Sequence, residues 1–362
     1  MYLHEELYGL LKRTLPLNKA RVRLMSLMIE AVLKLQTVNL SKLALILNPK
    51  CQPSSNYRRL QRFVANFDLD ILLIGKLLYA MLPQKDNLMI SIDRTEWKSG
   101  SQWMNILMAA VIYNGTAFPI YWSPLATIKN STTKERTDFM QHLLCIIAPK
   151  NIKAILADRE FIGDDWFAWL IKQKLPFFIR IKKNALLESA SGCCAAKKAF
   201  ANLRPLESRH LCKPRDVYQQ RLWLSGMKLQ KNYLIVASNV QDPDALQYYK
   251  ERWAIETLFL NLKSRGFDME STHLREPKRI AQIIAILSLA YSWASLVGLW
   301  RNDSEAIKRK KHGRKAQSFF RYGLDLLQRM MLTPVSVIVR RLLRPCIRLL
   351  QQRLAGSQLN TT

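Results

Sequence analysis

The sequence predicts an α/β fold: a mixed-sheet core interrupted by a mainly β insertion, preceded by a helical region and followed by a helical tail. Three observations carry this. Residues 1 to about 86 keep helical apolar spacing with few strand signals. From Asn87 the pattern changes to apolar strands that then alternate with amphipathic helices. From Lys183 to Tyr248 the chain holds strand-like stretches and turn signals. With 49% hydrophobic and 23% charged residues over 362 positions, it can bury a substantial core, in two or three units.

Within the first region, Ser41 would cap a short helix over Lys42 to Leu47, the turn-rich Asn48 to Pro53 ends it, and Ser54 or Ser55 would cap a second. The second helix carries Leu60, Phe63, Val64 and Phe67 on one side and Arg58, Arg59 and Arg62 on the other. Helix, short turn and basic amphipathic helix is the layout of a helix-turn-helix reader of the DNA major groove, although any basic surface helix gives the same pattern.

Leu88 to Asp93, Asn105 to Tyr113 and Ala117 to Trp122 then read as strands, the last two joined by Asn114-Gly115, a favoured hairpin turn. An amphipathic helix (Glu135 to Ile147), a buried strand (Ile152 to Ala157), a helix (Asp164 to Lys174) and a strand (Phe177 to Ile181) follow. Three antiparallel strands, then helix, strand, helix, strand, is the order of a ribonuclease H-like core. Its first part is 87–182 and its second part 249–300. The inserted segment, 183–248, has strand-like Val217 to Leu224 and Tyr233 to Ala237, with turns at Ser225-Gly226 and Asp242-Pro243. Residues 1–86 are expected to form a helical DNA-binding region and 301–362 a basic helical tail. The tail holds the run Lys308 to Lys315, a solvated loop or a phosphate contact, and a helical pattern from Phe319 to Met331.

From Ile280 to Trp300 only Gln282, three serines and Tyr291 interrupt an apolar run long enough to cross a bilayer. A buried core helix is expected instead, because no second such segment exists and basic, motif-bearing sequence flanks both ends. No membrane partner is expected.

The chain carries 56 Lys and Arg against 27 Asp and Glu, a net charge of +29, with an isoelectric point near 10.1. Such an excess points to a polyanion, and first to nucleic acid, because neutralising phosphates releases condensed counterions. The six cysteines lack paired CxxC spacing, and Cys193-Cys194 has no nearby His to complete a zinc site. They read as reduced thiols. The amino terminus has acidic residues before its apolar ones and no small-residue cleavage site, so a cytoplasmic protein is expected.

Tyr249, Arg252, Glu256 and Lys263 stand at steps of three, four and seven within a helical apolar pattern, which brings them onto one face. Taken alone, that stripe reads more readily as a solvated surface than as a site. Asp93 would end the first strand and Asp158 the fourth, and those strands are neighbours in the expected sheet, so the two carboxylates meet at one edge. Glu256 packs across that edge as the third. Hard oxygen ligands of this kind suit Mg2+ or Mn2+, and two such ions can activate a hydroxyl and stabilise a leaving oxygen at a phosphodiester. An Asp after a strand is also a common cap or turn residue. Glu96, Glu160, Asp164 and Asp165 lie close in sequence; they rank lower, although spacing alone leaves Glu160 open as a ligand.

With these residues the chain resembles a DDE transposase of a bacterial insertion sequence, in insertion-sequence family 4 with its Y-R-E-K signature. Tyr-x2-Arg-x3-Glu-x6-Lys is met without a gap from Tyr249 to Lys263, and continues through Ser264-Arg265-Gly266-Phe267, Glu270 and Thr272-His273. The likeness also covers Ile92-Asp93-Arg94-Thr95, Leu156 to Phe161 and Phe319 to Gly323, spanning about 87 to 325. It implies that Asp93, Asp158 and Glu256 bind two Mg2+ or Mn2+ ions as the catalytic triad, while Tyr249, Arg252 and Lys263 hold phosphates and a displaced base. Cut-and-paste transposition through a DNA hairpin is implied, on element ends and target DNA. A homodimer is expected from the need to hold two ends. Hairpin chemistry needs an unstacked base, and Trp223 and Trp253 are the candidate platforms, Trp223 reading equally as a sheet-face aromatic. A metal-dependent nuclease of the same fold and an inactive DNA-binding remnant are the alternatives.

Overall fold

In a computed structural model, which describes residues 3–99, 102–126, 130–189, 192–272, 274–311, 313–333 and 337–355, the first region folds as α1 (Leu3–Thr14), α2 (Lys19–Leu35), α3 (Leu40–Ile46), α4 (Pro53–Asn66) and α5 (Ile71–Met81). Asn39, rather than Ser41, caps α3: its side-chain oxygen accepts from the amides of Ser41 and Lys42, so the helix begins at Leu40. Pro53 takes the first position of α4, ahead of Ser54 and Ser55. Its fixed φ suits that turn, and it has no amide needing a partner there. The buried side chain of Asn56 donates to the carbonyls of Ala44 and Asn48 and ties α4 to the end of α3. Leu60, Phe63, Val64 and Phe67 are buried, Arg58 and Arg62 exposed and Arg59 half-buried.

Glu30 on α2 is buried against α1, where it accepts from the backbone amide of His4 at 2.7 Å, meets the His4 ring at 2.9 Å and accepts from Lys34 at 2.6 Å. Burial alone would raise its pKa, but the His4 and Lys34 hydrogen bonds prevail and bring it down to about 2. A depressed carboxyl contributes stability that is present above the unfolded value of 4.5 and is lost as pH falls toward 2. The expected loss is on the order of 3 kcal/mol across that window. Urea unfolding of the wild type and Glu30→Gln between pH 5 and 2 measures it. The stability gap between the two should shrink as pH falls, and a constant gap would remove Glu30 as the acid-sensitive contact.

The sheet follows. β1 (Leu88–Ser99), β2 (Gln102–Tyr113) and β3 (Thr116–Pro124) form an antiparallel meander; Asn114 and Gly115, at φ 49° and 72°, make the turn that both positive angles require. α6 (Thr133–Leu144) opens on a capping box between Thr132 and Glu135. β4 (Ile152–Ala157), α7 (Asp164–Lys172) and β5 (Phe177–Ile181) come next. β4 pairs in parallel with β1 on one side and β5 on the other.

The first strand is longer than its apolar run. β1 continues six residues beyond Asp93, because it goes on pairing with β2 as far as Ser99 after its pairing with β4 has stopped at Ile92–Ala157. Asp93 therefore sits where β1 leaves β4, at the root of a two-stranded arm.

Residues 186–238 supply β6 (Leu186–Ser189), β7 (Gly192–Ala195), β8 (Ser208–His210), β9 (Arg215–Val217), β10 (Gln220–Lys228) and β11 (Tyr233–Ser238). β11 pairs antiparallel with β5, so the sheet runs β3-β2-β1-β4-β5-β11-β10-β9-β6-β7 among the described residues, with β8 on β10. Strands β6 to β11 continue the same sheet beyond β5.

α8 (Ala245–Glu251) and α9 (Ala254–Leu260) follow, then a π turn over Asn261–Arg265. α10 (Pro277–Ser304), α11 (Phe319–Leu332) and α12 (Val337–Leu354) complete the chain. α10 is the described helix long and apolar enough to cross a membrane, and its whole apolar window is buried inside the protein. It packs against α2, α5, β3, α11 and α12. Trp122 of β3 donates its indole N–H to the Ala281 carbonyl, and Trp293 donates to that of Cys346. Where α10 crosses α11 the backbones touch: a Cβ at Gly298 would overlap the Phe319 carbonyl, and one at Gly323 that of Ala294.

Candidate active site

β4 carries Asp158 one residue past its end, beside Asp93 where β1 leaves it, so the parallel pair brings both aspartates to one edge. α8 and α9 cross that edge. Between them the helix tightens: the amides of Arg252 and Trp253 bond three residues back, to Tyr249 and Lys250. That turn buries Arg252 and leaves Trp253 65% exposed beside it.

Arg252 joins two of the acids. Its Nη1 donates to Asp93 Oδ2 at 2.8 Å and its Nη2 to Glu256 Oε1 at 2.5 Å. Its Nε–H is also buried but has no partner among the described residues, at a cost of about 1–3 kcal/mol. Tyr249 Oη donates to Asp158 Oδ1 at 3.2 Å, and Arg180 lies 3.6 Å from the same oxygen. Of the four signature residues, Tyr249, Arg252 and Glu256 thus meet the aspartates. Lys263 does not: it lies within the π turn, and its Nζ donates to the Glu96 carbonyl on the β1 arm, over the ring of Trp97.

Burial, against the pull of Arg252 and the Arg94 amide, raises the Asp93 carboxyl to about 6. Burial pushes the Tyr249 phenol up to about 12, with Arg252 opposing and Asp158 adding to the rise. Burial lowers Arg252, but Tyr249 and the surrounding acids outweigh it and hold the guanidinium firmly charged.

Among the described residues, no three His, Cys, Asp or Glu side chains stand as a ready-made cation cage. The donor chemistry nevertheless fits a hard divalent ion, and Arg252 marks the space between Asp93 and Glu256 as one that accepts positive charge. Of the nearby acids, Glu160 is held by Arg94 at 3.3 Å, Glu96 pairs with the same arginine at 3.2 Å, and Asp164 accepts from Gln219 at 2.9 Å. Asp164 and Asp165 open α7.

Sequence reasoning missed Arg180 and Arg94. The register held the signal for the first: Ala157 pairs with Ile179, so the next residue on each strand, Asp158 and Arg180, share the edge. An open cavity of about 560 Å3 continues from Asp158 past Arg159, Arg180, Lys182 and Lys183 to Tyr233. Trp223, on β10, is half-buried and stacks on His210 at 5.9 Å, which covers one ring face. Arg59 and Arg62 line a shallow groove with Arg21, Phe63 and Phe67. The described part of the 308–315 run is exposed, whereas His312 and His273 lie outside the described residues.

Residues 85–293, more than half of the chain, match the family model described as Transposase DDE domain. That span holds Asp93, Asp158, Glu256 and every described strand. No curated protein matches the chain.

Proposed function

Because the chain belongs to the transposase DDE domain family and is a DDE transposase, a polynucleotidyl transferase, we propose that it moves its own insertion sequence by cut-and-paste through a hairpin, as the Y-R-E-K members of insertion-sequence family 4 do. One observation carries this reading: Asp93, Asp158 and Glu256 are drawn to one sheet edge by two residues of the same signature, Arg252 and Tyr249. In this reading the three acids hold two Mg2+ or Mn2+ ions, which would supply an activated hydroxyl and stabilise the leaving oxygen.

The chain's own groups do the rest. Arg252 and Tyr249 bind phosphate beside the acids, and Lys263 does so from beside Glu96 of the β1 arm. The exposed face of Trp253 receives a base displaced from the stack; Trp223, with one face already against His210, is the weaker platform. The cationic cavity beyond Asp158 guides the strand toward the inserted β region. A ribonuclease H-like core, 87–182 with 249–300, is interrupted by 183–248. The helical 1–86 region binds the element ends through Arg58, Arg59 and Arg62, and 301–362 adds basic surface. A homodimer in the cytoplasm, engaging element ends and target duplex and no membrane, completes the proposal; the burial of α10 supports its last clause.

The test is purified protein with labelled element-end DNA and Mg2+. Hairpin ends followed by joined products are expected. Cleaved ends that are never joined would mark a nuclease, and binding with no cleavage an inactive remnant.

A further inference from the structure

The acidic centre is internally neutralised. Arg252 lies on Asp93 and Glu256, Arg180 and Tyr249 on Asp158, and Arg94 on Glu160. Of these cations, Arg180 also lines the cavity suited to phosphate. Arg252 is the pivotal one, since it bridges acids from two separate elements and fills the space between them.

Two further features show that this pose is not a fully satisfied resting place. The Nε–H stays buried and unpaired, which a bidentate grip on one carboxylate or phosphate would remedy. Arg252 also sits at the tightened turn between α8 and α9, next to a residue that is 65% exposed.

We propose that Arg252 is a displaceable counter-ion: without DNA it occupies the place between Asp93 and Glu256, and it gives way to divalent metal as it moves to a phosphate of bound DNA. This rests on the reading of the three acids as metal ligands. The exchange keeps charge balanced, since the ions neutralise the acids as the phosphate neutralises the arginine. Metal and DNA binding are therefore positively coupled, each raising the other's affinity by the same factor. Acids left without DNA are capped by a side chain instead of armed with metal.

Calorimetric titration of the full chain with Mn2+ tests this, without and with a short DNA duplex. Arg252→Ala and the bulkier Arg252→Gln are compared with wild type, after circular dichroism has established that each is folded. Without DNA, both variants should bind Mn2+ on the order of 10-fold more tightly than wild type, a typical size for a coupled pair of sites. Duplex should tighten wild-type binding by a similar factor and leave the variants nearly unchanged. The tight binding should vanish when Asp93→Asn is added. Equal Mn2+ affinity in wild type and both variants, still dependent on Asp93, would overturn the counter-ion role and leave the acids as ligands. Mn2+ binding that ignores Asp93 even with duplex present would instead overturn the ligand reading itself.

Discussion

Asp93→Ala, Asp158→Ala and Glu256→Ala are each expected to reduce DNA cleavage by at least ~10²-fold, the scale lost when one preorganised electrostatic group is removed from a reaction centre. End binding should survive largely intact. The chain keeps its large positive charge in every variant, and removing an acid beside the groove weakens no phosphate contact. The three losses should differ in their structural side effects. Asp93→Ala strands one arm of the buried Arg252, whereas Asp158 faces Tyr249 and the part-exposed Arg180. Asp93→Asn, which keeps an acceptor for Arg252 Nη1, is therefore the sharper control. It should be as inactive as Asp93→Ala while melting closer to wild type. Cleavage assays on labelled element ends, with gel-shift binding in parallel, make the measurement. Full activity in any one variant would remove that acid from the reaction.

Gly298→Ala is expected to destabilise the protein by about 3 kcal/mol or more, the upper end for overpacking a tight interface. In an exposed helix the same change would stabilise by about 1 kcal/mol, because glycine surrenders more backbone freedom on folding. Here the added methyl meets a main-chain carbonyl of α11, which no rotamer change can move. Gly323 faces α10 in the same way, so the two glycines let the backbones touch and Gly323→Ala should behave alike. Separating the helices would also draw Tyr291 away from Phe320, whose rings stack at 4.6 Å. The urea midpoint reads the effect. A raised midpoint would show that the crossing has room.

Both features differ in how far the sequence revealed them. β4 and β5 were legible to the residue, because short fully apolar runs flanked by turn signals have few other fates. The end of β1 was not. Beyond Asp93 the alternation of Arg94, Glu96 and Lys98 with Thr95 and Trp97 is that of a strand with one wet face, and only pairing with β2 makes it one. The break at Arg252 was equally hidden, since no Gly or Pro marks it and a helical wheel assumes an even turn. The wheel nevertheless placed Tyr249, Arg252 and Glu256 together; it misplaced Lys263, which lies in the π turn over Asn261–Arg265. Arg180 and the pairing of β11 with β5 depend on register between distant segments, which periodicity within either segment does not encode. The glycine contact at the α10–α11 crossing is likewise a property of two helices in place.

The order of synthesis gives α10 a hazard of its own. β3, α5 and α2 precede it and wait on one flank, but α11 and α12, which close the other, are translated afterwards. Until they follow, the apolar middle of this 28-residue helix lacks two of its packing partners, and such transiently exposed apolar surface is prone to association. The closing helices act as a shutter for the polypeptide being born, and the glycine crossing is what lets that shutter lie flat.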